Sequence, residues 1–175
     1  EVYAGTGQKL KWICSVSGCG YKWETTGNHR MNGNGCPACA HKVATPAYNL
    51  AVLYPALALE FSLKNLPLTA KSIVPGSHKV VWWDCLKENC GLGWRASVKN
   101  RTQRATGCPG CAGIVATVQN NLDFTHHHLA LHYSKKNQQP ARRVIAGTQH
   151  KLWWDCPCCG QEFLATGVSR VKADH

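Results

Sequence analysis

The sequence predicts small α+β units held together by metal ions or disulfides, rather than one large hydrophobic core. The chain has 175 residues and a formal net charge of +11, with 11 cysteines and 7 tryptophans but only 3 phenylalanines and 1 methionine. Its cysteines fall in close pairs, and the same order of residues recurs along the chain. Small units bury too little apolar surface to be stable unaided, so this composition requires cross-links or bound metal.

Cysteine spacing is the first observation behind this prediction. Two tight turns can each present two thiolates to a tetrahedral ion, and the close pairs therefore predict two four-cysteine Zn²⁺ sites. A disulfide framework of a secreted protein is the alternative, but paired CxxC knuckles favour metal in a reducing compartment. The predicted ligands are Cys14, Cys19, Cys36 and Cys39 in the first site, and Cys85, Cys90, Cys108 and Cys111 in the second.

Internal repetition is the second observation. Trp12, Trp83 and Trp154 are separated by 71 residues each, and so are the cysteines two positions after them. Self-similarity over such a distance indicates tandem modules, here two and a half of them. We predict a zinc finger at 1–45, a helical spacer at 46–76, a second finger at 77–117, a second spacer at 118–148 and a partial third finger at 149–175.

Each finger is predicted to contain a hairpin next to a zinc knuckle. In the second finger, Val80 to Asp84 is predicted as one strand, and the alternation of Trp94, Ala96 and Val98 with polar residues predicts its partner. A turn rich in glycine and threonine should follow. Gly-Cys-Pro-x-Cys should then open a short helix, because proline suits the first helical turn and the helix N-terminus stabilises thiolates. Knuckle, hairpin and a ligand pair at a helix start form a treble-clef arrangement.

Helical spacers are predicted between the fingers. Leu50, Leu53, Leu57 and Phe61 fall at helical spacing, and Pro55 lies at or near a helix start. The expected role of this segment is to pack one finger against the next.

These motifs together resemble a known family. The second finger reads Trp82-Trp83-Asp84-Cys85-x4-Cys90-Gly91-x2-Trp94-x6-Arg101, followed by Gly107-Cys108-Pro109-x-Cys111. Over nearly the whole chain this pattern is similar to the probable zinc-ribbon, treble-clef repeat family. The resemblance implies tandem metal-binding modules, often in long proteins and sometimes beside endonuclease domains, that bind nucleic acid.

The third finger departs from this pattern. Its knuckle is shortened to Cys156-x2-Cys159, and no second pair follows before His175. Since the Cys159-Gly160 step matches the Cys-Gly step of the other knuckles, we assign Cys156 and Cys159, rather than Cys158, to an incomplete third Zn²⁺ site. We expect the native chain to continue beyond His175. The sequence leaves open whether the third site is completed, by ligands from there or from a partner.

The basic charge predicts an anionic partner. Twenty lysines and arginines outnumber nine acidic residues, and two zinc centres with eight thiolates lower the net charge from +11 to about +7. Cations recur at equivalent positions, which predicts contacts with successive phosphates of a nucleic acid. A solvated basic face is the alternative. The predicted contact residues are Arg30, Lys71, Lys79, Arg95, Lys99, Arg101, Arg104, Arg142, Arg143, Lys151 and Arg170.

The tryptophans are predicted to have two roles. Trp82 and Trp153 lie on the opposite strand face from their neighbours and are predicted to contact a partner or a spacer helix. The remaining tryptophans of the first two fingers are predicted to form the small finger cores rather than to stack on bases. These core tryptophans are Trp12, Trp23, Trp83 and Trp94.

The sequence contains no arrangement typical of an enzyme. Its acidic residues are scattered, and a site with four cysteine ligands is coordinatively closed, which is typical of structural zinc. We therefore predict a non-catalytic binding module. The preferred hypothesis is an RNA-binding component of a large ribonucleoprotein such as an organellar ribosome. The alternatives are a DNA-binding array of a nuclease or mobile-element protein, and a protein–protein scaffold.

Partners and location follow from this hypothesis. RNA is preferred over DNA because no recognition helix with base-reading side chains is visible, and other proteins of the complex are expected partners. The most apolar stretch, 47–61, is broken by Asn49 and Pro55 and is too short to span a membrane, so no membrane partner is expected. We expect an intracellular, reducing compartment, either a mitochondrion or another organelle, with the nucleus as the alternative.

Overall fold

The computed structural model describes residues 2–173, which form short hairpins connected by short helices. Within this range there are three sheets of two strands each. The strands are β1 (Lys9–Ile13), β2 (Lys22–Thr26), β3 (Val80–Asp84), β4 (Gly93–Ser97), β5 (Lys151–Asp155) and β6 (Glu162–Thr166). The α-helices are α1 (Gly27–Met31), α2 (Leu50–Leu53), α3 (Pro55–Leu59), α4 (Val98–Gln103), α5 (Leu122–Thr125), α6 (His127–Ala130) and α7 (Gly167–Ala173). This is the small α+β architecture that the sequence predicts.

The chain divides into two compact units. Unit 1 covers the described residues up to Val80 together with Ser97–Gln103, and unit 2 covers Val81–Ala96 and the described residues from Arg104 onward. The division falls inside the predicted second finger, because α4 belongs to unit 1. The segment boundaries derived from the sequence repeat therefore remain a prediction.

Cross-strand aromatic pairs lie at the centre of the first and third hairpins. Trp12 lies opposite Trp23 in the antiparallel pair β1–β2, and Trp154 lies opposite Phe163 in the pair β5–β6. Facing aromatic side chains on one side of a two-stranded sheet supply most of the apolar surface that so small a hairpin can bury. The 71-residue repeat thus reproduces the same core pair in different fingers.

The tryptophan burial agrees with the predicted cores in the second finger. Trp83 is fully buried and Trp94 is buried, and the indole N–H of Trp83 donates to the carbonyl of Ala96 at 3.1 Å. Trp12 and Trp23 are half-buried. The prediction of tryptophan cores is confirmed for the second finger, while the first finger covers its pair less completely.

A short helix follows the second strand of every hairpin, which the sequence analysis did not predict. α1, α4 and α7 begin directly after β2, β4 and β6. A threonine hydroxyl caps two of these helices: Thr26 accepts the N–H of His29 at 3.1 Å, and Thr166 accepts that of Ser169 at 3.1 Å. In the second finger, the predicted strand that reached Val98 ends at Ser97, and the expected turn is largely helix.

The helix predicted at each Gly-Cys-Pro-x-Cys motif is only a single turn. The N–H of Ala40 donates to the carbonyl of Cys36 at 3.0 Å, and the N–H of Ala112 donates to that of Cys108 at 3.0 Å. The fifth residue after each of these cysteines has positive φ, 55° at His41 and 67° at Gly113. A left-handed residue ends a helix, so the predicted short helix is limited to this one turn.

The spacer between the first two fingers contains two short helices. Asn49 caps α2. Leu50, the first residue of this helix, is fully buried, whereas Leu53, its last residue, is 44% exposed. Pro55 is the first residue of α3, as predicted. Because proline has no N–H to continue the preceding helix, the first helix ends at Tyr54, and three of the four apolar residues predicted at helical spacing are divided between α2 and α3.

The second spacer repeats this arrangement and contributes to the core of unit 2. Asn121 caps α5, and its Oδ1 accepts the N–H of Phe124 at 2.9 Å. The buried residues of this core are Leu122, Leu129, Ala146 and Trp154. The spacer therefore packs on the third hairpin within unit 2.

No helix in residues 2–173 has the length and apolar character needed to cross a lipid bilayer.

Candidate metal centre

Each knuckle places two cysteines at the end of a hairpin. The N–H of Cys14 donates to the carbonyl of Tyr21 at 2.9 Å, which closes the turn around the first pair. The glycine directly after the second cysteine has positive φ in every finger: 55° at Gly20, 56° at Gly91 and 71° at Gly160. Glycine adopts this conformation without steric cost, so the repeated Cys-Gly step has a backbone reason.

The two predicted cysteine sets come together in space, one in each unit. In each set, all four sulfur atoms lie within 4.8 Å of one another. In the first set, the sulfurs of Cys14 and Cys39 are 3.6 Å apart and those of Cys19 and Cys36 are 3.8 Å apart. In the second set, Cys85–Cys111 and Cys90–Cys108 are separated by 3.5 and 3.7 Å.

These separations fit zinc rather than disulfides. A tetrahedral Zn²⁺ with Zn–S bonds of 2.3 Å places its sulfurs about 3.8 Å apart, whereas a disulfide requires about 2.05 Å. All eleven cysteines lie within residues 2–173, and in this range none forms a disulfide. Four thiolates are the donor set of structural zinc, and Zn²⁺ would be held by the eight cysteines that the sequence predicts.

The thiols within one set shift each other's pKa values in opposite directions, so that one ionises and another keeps its proton. Burial raises the pKa of Cys36, but the backbone N–H groups of Cys39 and Ala38 and the neighbouring thiols outweigh this effect and lower its pKa to about 7. The thiols of Cys19 and Cys14 raise the pKa of Cys39 to about 12. Four thiolates cannot coexist at this spacing without a compensating cation, so a divalent metal is required to ionise the set.

The third site is partial in the described residues. The ligating side chains of residues 2–173 form only the two four-cysteine groups. The backbone N–H groups of Cys159 and Cys158 lower the pKa of Cys156. Cys156 and Cys159 therefore form one half of a site, and the preference for Cys159 over Cys158 remains a prediction.

Arg30 and Arg170 lie against the aromatic pairs of their own fingers. The guanidinium of Arg30 is 5.1 Å from the ring of Trp12 and 5.4 Å from that of Trp23, and its Nη1 donates to the carbonyl of Asn34 at 2.6 Å. Arg170 is 5.5 Å from each ring of the third finger's aromatic pair. Cation–π contacts of this type stabilise small aromatic cores.

Arg101, the equivalent arginine of the second finger, is the most buried of the three. Its side chain is 4% exposed, and it donates through Nη2 to Oε2 of Glu60 in unit 1. The structure thus gives the predicted residues Arg30, Arg101 and Arg170 positions inside the fingers. Their contact with nucleic acid stays a prediction.

The other predicted contact residues are mostly on the surface. Lys99 is half-buried, with its Nζ 3.4 Å from Nε2 of His78. The seven exposed residues are Lys71, Lys79, Arg95, Arg104, Arg142, Arg143 and Lys151. Within residues 2–173, none of these seven makes a salt bridge.

Sequence reasoning missed the residues that fix Trp153. Asn137 binds both backbone groups of Trp153: its Nδ2 donates to the carbonyl at 2.8 Å, and its Oδ1 accepts the N–H at 3.0 Å. Lys136 lies 4.4 Å from the centre of the indole ring and forms a salt bridge with Glu162 at 2.5 Å. Trp153 therefore contacts the second spacer through residues after α6 rather than through a spacer helix, and its contact with a partner stays a prediction. The recurrence of asparagine at 65 and 137 was the available signal.

Comparison with known proteins agrees with this geometry. The family described as probable treble clef zinc finger domain matches residues 1–42, 57–114 and 129–175, one segment for each finger. No curated protein matches the chain. The matched segments cover most of the chain and include both four-cysteine sets and the partial third one. The chain therefore belongs to the treble clef zinc finger family.

Proposed function

We propose that this chain is a non-catalytic, zinc-stabilised module that binds nucleic acid, and that its target is RNA in a large ribonucleoprotein such as an organellar ribosome. One observation carries the proposal: apart from the half-buried Lys99, the predicted contact residues fall into two classes. The repeated arginines lie inside the fingers. The seven exposed lysines and arginines make no salt bridge in residues 2–173.

Exposed cations without acidic partners favour binding to phosphates. After two zinc centres are included, a net charge of about +7 remains on a chain of 19.2 kDa. Of the nine acidic residues, Glu60 and Glu162 are already engaged by Arg101 and Lys136. Each exposed cation that neutralises a phosphate releases condensed counterions, which favours binding at low salt.

The helices support RNA over DNA. The longest α-helix in residues 2–173 is α7, with seven residues. Such short helices offer little surface for reading base edges in the DNA major groove. RNA recognition relies more on backbone contacts, shape and unpaired loops, which suit small rigid modules with dispersed cations.

The donor set of the metal sites supports a structural role for zinc, and therefore a module without catalytic activity. Four thiolates leave no open coordination position for water or substrate. The expected metal contribution is therefore to the free energy of folding, since zinc fingers of this size depend on metal for their structure.

Protein partners form the second part of the proposal, supported by apolar side chains at equivalent spacer positions. Val52 is 53% exposed and Phe124, its counterpart after the capping asparagine, is 64% exposed. Leu59 and Leu131 also correspond and are 73% and 71% exposed. Repetition of an exposed apolar position favours contact with neighbouring proteins. A protein–protein scaffold is accordingly the second candidate function.

The proposed location is an intracellular, reducing compartment, in a mitochondrion or another organelle, with the nucleus as the alternative. Eight cysteines committed to metal favour a compartment in which thiols stay reduced.

Sedimentation of the native protein tests the proposed function. Extracts of its own cells would be separated on a gradient without treatment, after RNase and after DNase. We expect migration in a heavy particle that RNase alone disperses. Migration in a particle that only DNase disperses would favour the DNA-binding alternative, and a particle that resists both nucleases would favour the scaffold.

A further inference from the structure

Unit 2 contains a groove that the metal centre does not use. Its volume is about 710 Å³, within the range of about 300–1,000 Å³ that is usual for ligand sites. We call it the Trp153 groove. It is lined by residues of three segments: the loop after Cys111 at the end of the second finger, the second spacer, and the first residues of the third finger up to Trp153 in β5. The residues used in the argument are Ile114, Lys136, Gln139, Arg143, Lys151 and Trp153.

Trp153 differs from the core tryptophans in its hydrogen bonding. The indole N–H groups of Trp12, Trp83 and Trp154 each donate to a carbonyl of the facing strand, at 2.9, 3.1 and 3.1 Å. Within residues 2–173 the indole N–H of Trp153 makes no hydrogen bond, although Asn137 fixes the backbone of Trp153 on both sides. The groove therefore contains an indole ring whose backbone is held on both sides and whose N–H can donate a hydrogen bond to a ligand.

The charges of the groove are partly free. Lys136 lies over the indole ring, but its charge is compensated by Glu162. Arg143 and Lys151 are exposed, line the same groove and make no salt bridge within residues 2–173. Two uncompensated cations beside an apolar and aromatic lining suit a ligand with both a phosphate and a planar ring.

We propose that the Trp153 groove binds an unpaired nucleotide of a single-stranded nucleic acid. The phosphate contacts Arg143 and Lys151, and the base packs against Trp153 and Ile114, with the amide of Gln139 available to its polar edge. Bases in a duplex are stacked and present no free ring face, so the aromatic lining is of use only for an unstacked base. This inference rests on the proposed function. It places the nucleic-acid binding site in the groove and specifies a single-stranded ligand.

Matched charge variants of the zinc-loaded chain test the location. R143Q/K151Q removes both free cations of the groove. R142Q/K135Q removes an arginine and a lysine that are also exposed and close in sequence but do not line the groove. With oligomers of about eight nucleotides, poly-uridine RNA and poly-thymidine DNA, we expect the groove variant to lose about tenfold in affinity and the control about threefold.

Trp153→Leu tests the base contact. Binding to the thymidine oligomer is compared with binding to an abasic oligomer of equal length, which has the same phosphates but no rings. We expect a loss of about tenfold for thymidine and no change for the abasic oligomer. Zinc content and near-ultraviolet circular dichroism check that the variants fold. If Trp153→Leu does not fold, the two charge variants still test the location of the site.

The outcomes separate this inference from the proposed function. Equal losses in the two double variants, or no loss in R143Q/K151Q, would overturn the groove while nucleic-acid binding stands. Failure of the unmodified chain to bind any oligomer or duplex would overturn both. A preference for uridine or thymidine oligomers identifies the groove as an RNA or a DNA site.

Discussion

The guanidinium of Arg101 binds the carboxylate of Glu60, although 41 residues separate them in sequence. Arg101 is 4% exposed and Glu60 is 26% exposed. The pair joins helix α4 to the end of spacer helix α3 within unit 1. An arginine that sequence patterning assigns to nucleic-acid contact therefore has an internal partner.

Glu60→Gln should destabilise unit 1 by about 2 kcal/mol. Breaking a buried ion pair costs about 3–5 kcal/mol, and the partial exposure of Glu60 lowers that value. Urea unfolding with excess zinc measures the effect. Glu162→Gln is the matched control, because its partner Lys136 is 53% exposed and the charge left behind remains hydrated. Equal stability of the two variants would contradict the internal role of Arg101.

Gly27→Ala should destabilise the first finger by about 1–3 kcal/mol through overpacking. A Cβ at this position would lie 2.3 Å from the carbonyl oxygen of Ala4, which belongs to the backbone and cannot move independently. Gly7→Ala is the control, because a Cβ there would meet no atom within 4 Å. Thermal unfolding of both variants distinguishes them, and a Gly27→Ala variant as stable as Gly7→Ala would refute the close approach.

Cys108→Ser should reduce bound zinc from two ions to one per chain. The substitution removes one of four thiolates from the second set, and metal binding is coupled to folding of that finger. Metal analysis of the purified protein gives the count. Cys158→Ser should retain both ions, because Cys158 is exposed and lies outside both sets. Two ions in Cys108→Ser would disprove the ligand assignment.

Zinc affinity should rise with pH, and zinc binding should release protons. Without metal, Cys39 and Cys85, whose pKa values are raised to about 12, hold their protons at neutral pH, whereas Cys36, with a pKa of about 7, ionises between pH 6 and 8. Zinc binds thiolates, so the metal-free state holds more protons and gains relative stability as pH falls.

Calorimetric titration of the metal-free chain in buffers of different ionisation enthalpy measures this proton release. More protons should leave the first site at pH 6 than at pH 8, because Cys36 is still a thiol at the lower pH. Proton release that is equal at both values would contradict the lowered pKa of Cys36.

Much of the metal centre could be predicted from sequence. A cysteine pair within one tight turn is a local feature, and the 71-residue repeat identifies which pairs belong together. The strand Val80–Asp84 was also predictable, since its apolar residues directly precede the knuckle. Local spacing and recurrence are enough to identify the cysteine ligands, because closely paired cysteines have few roles other than metal binding.

The positions of the arginines could not be predicted in the same way. Recurrence at Arg30, Arg101 and Arg170 shows that the position matters, but a cation over an aromatic pair and a cation on a phosphate produce the same pattern. The deciding feature is the helix after each hairpin, which brings Arg30 and Arg170 onto the rings of their fingers and Arg101 to Glu60. Its capping hydroxyls at Thr26 and Thr166 were visible signals for that helix.

Salt dependence of RNA binding tests the central claim, that exposed cations outside the finger cores bind phosphates. The slope of log affinity against log salt would be measured for the zinc-loaded chain and for R95Q/R104Q with one single-stranded RNA. Both arginines are exposed and lie outside the Trp153 groove. We predict a steep slope for the unmodified chain and a reduction of about 1.4 in the variant, since each phosphate contact on a single strand contributes about 0.7. Identical slopes, or an affinity that does not change with salt, would contradict the account.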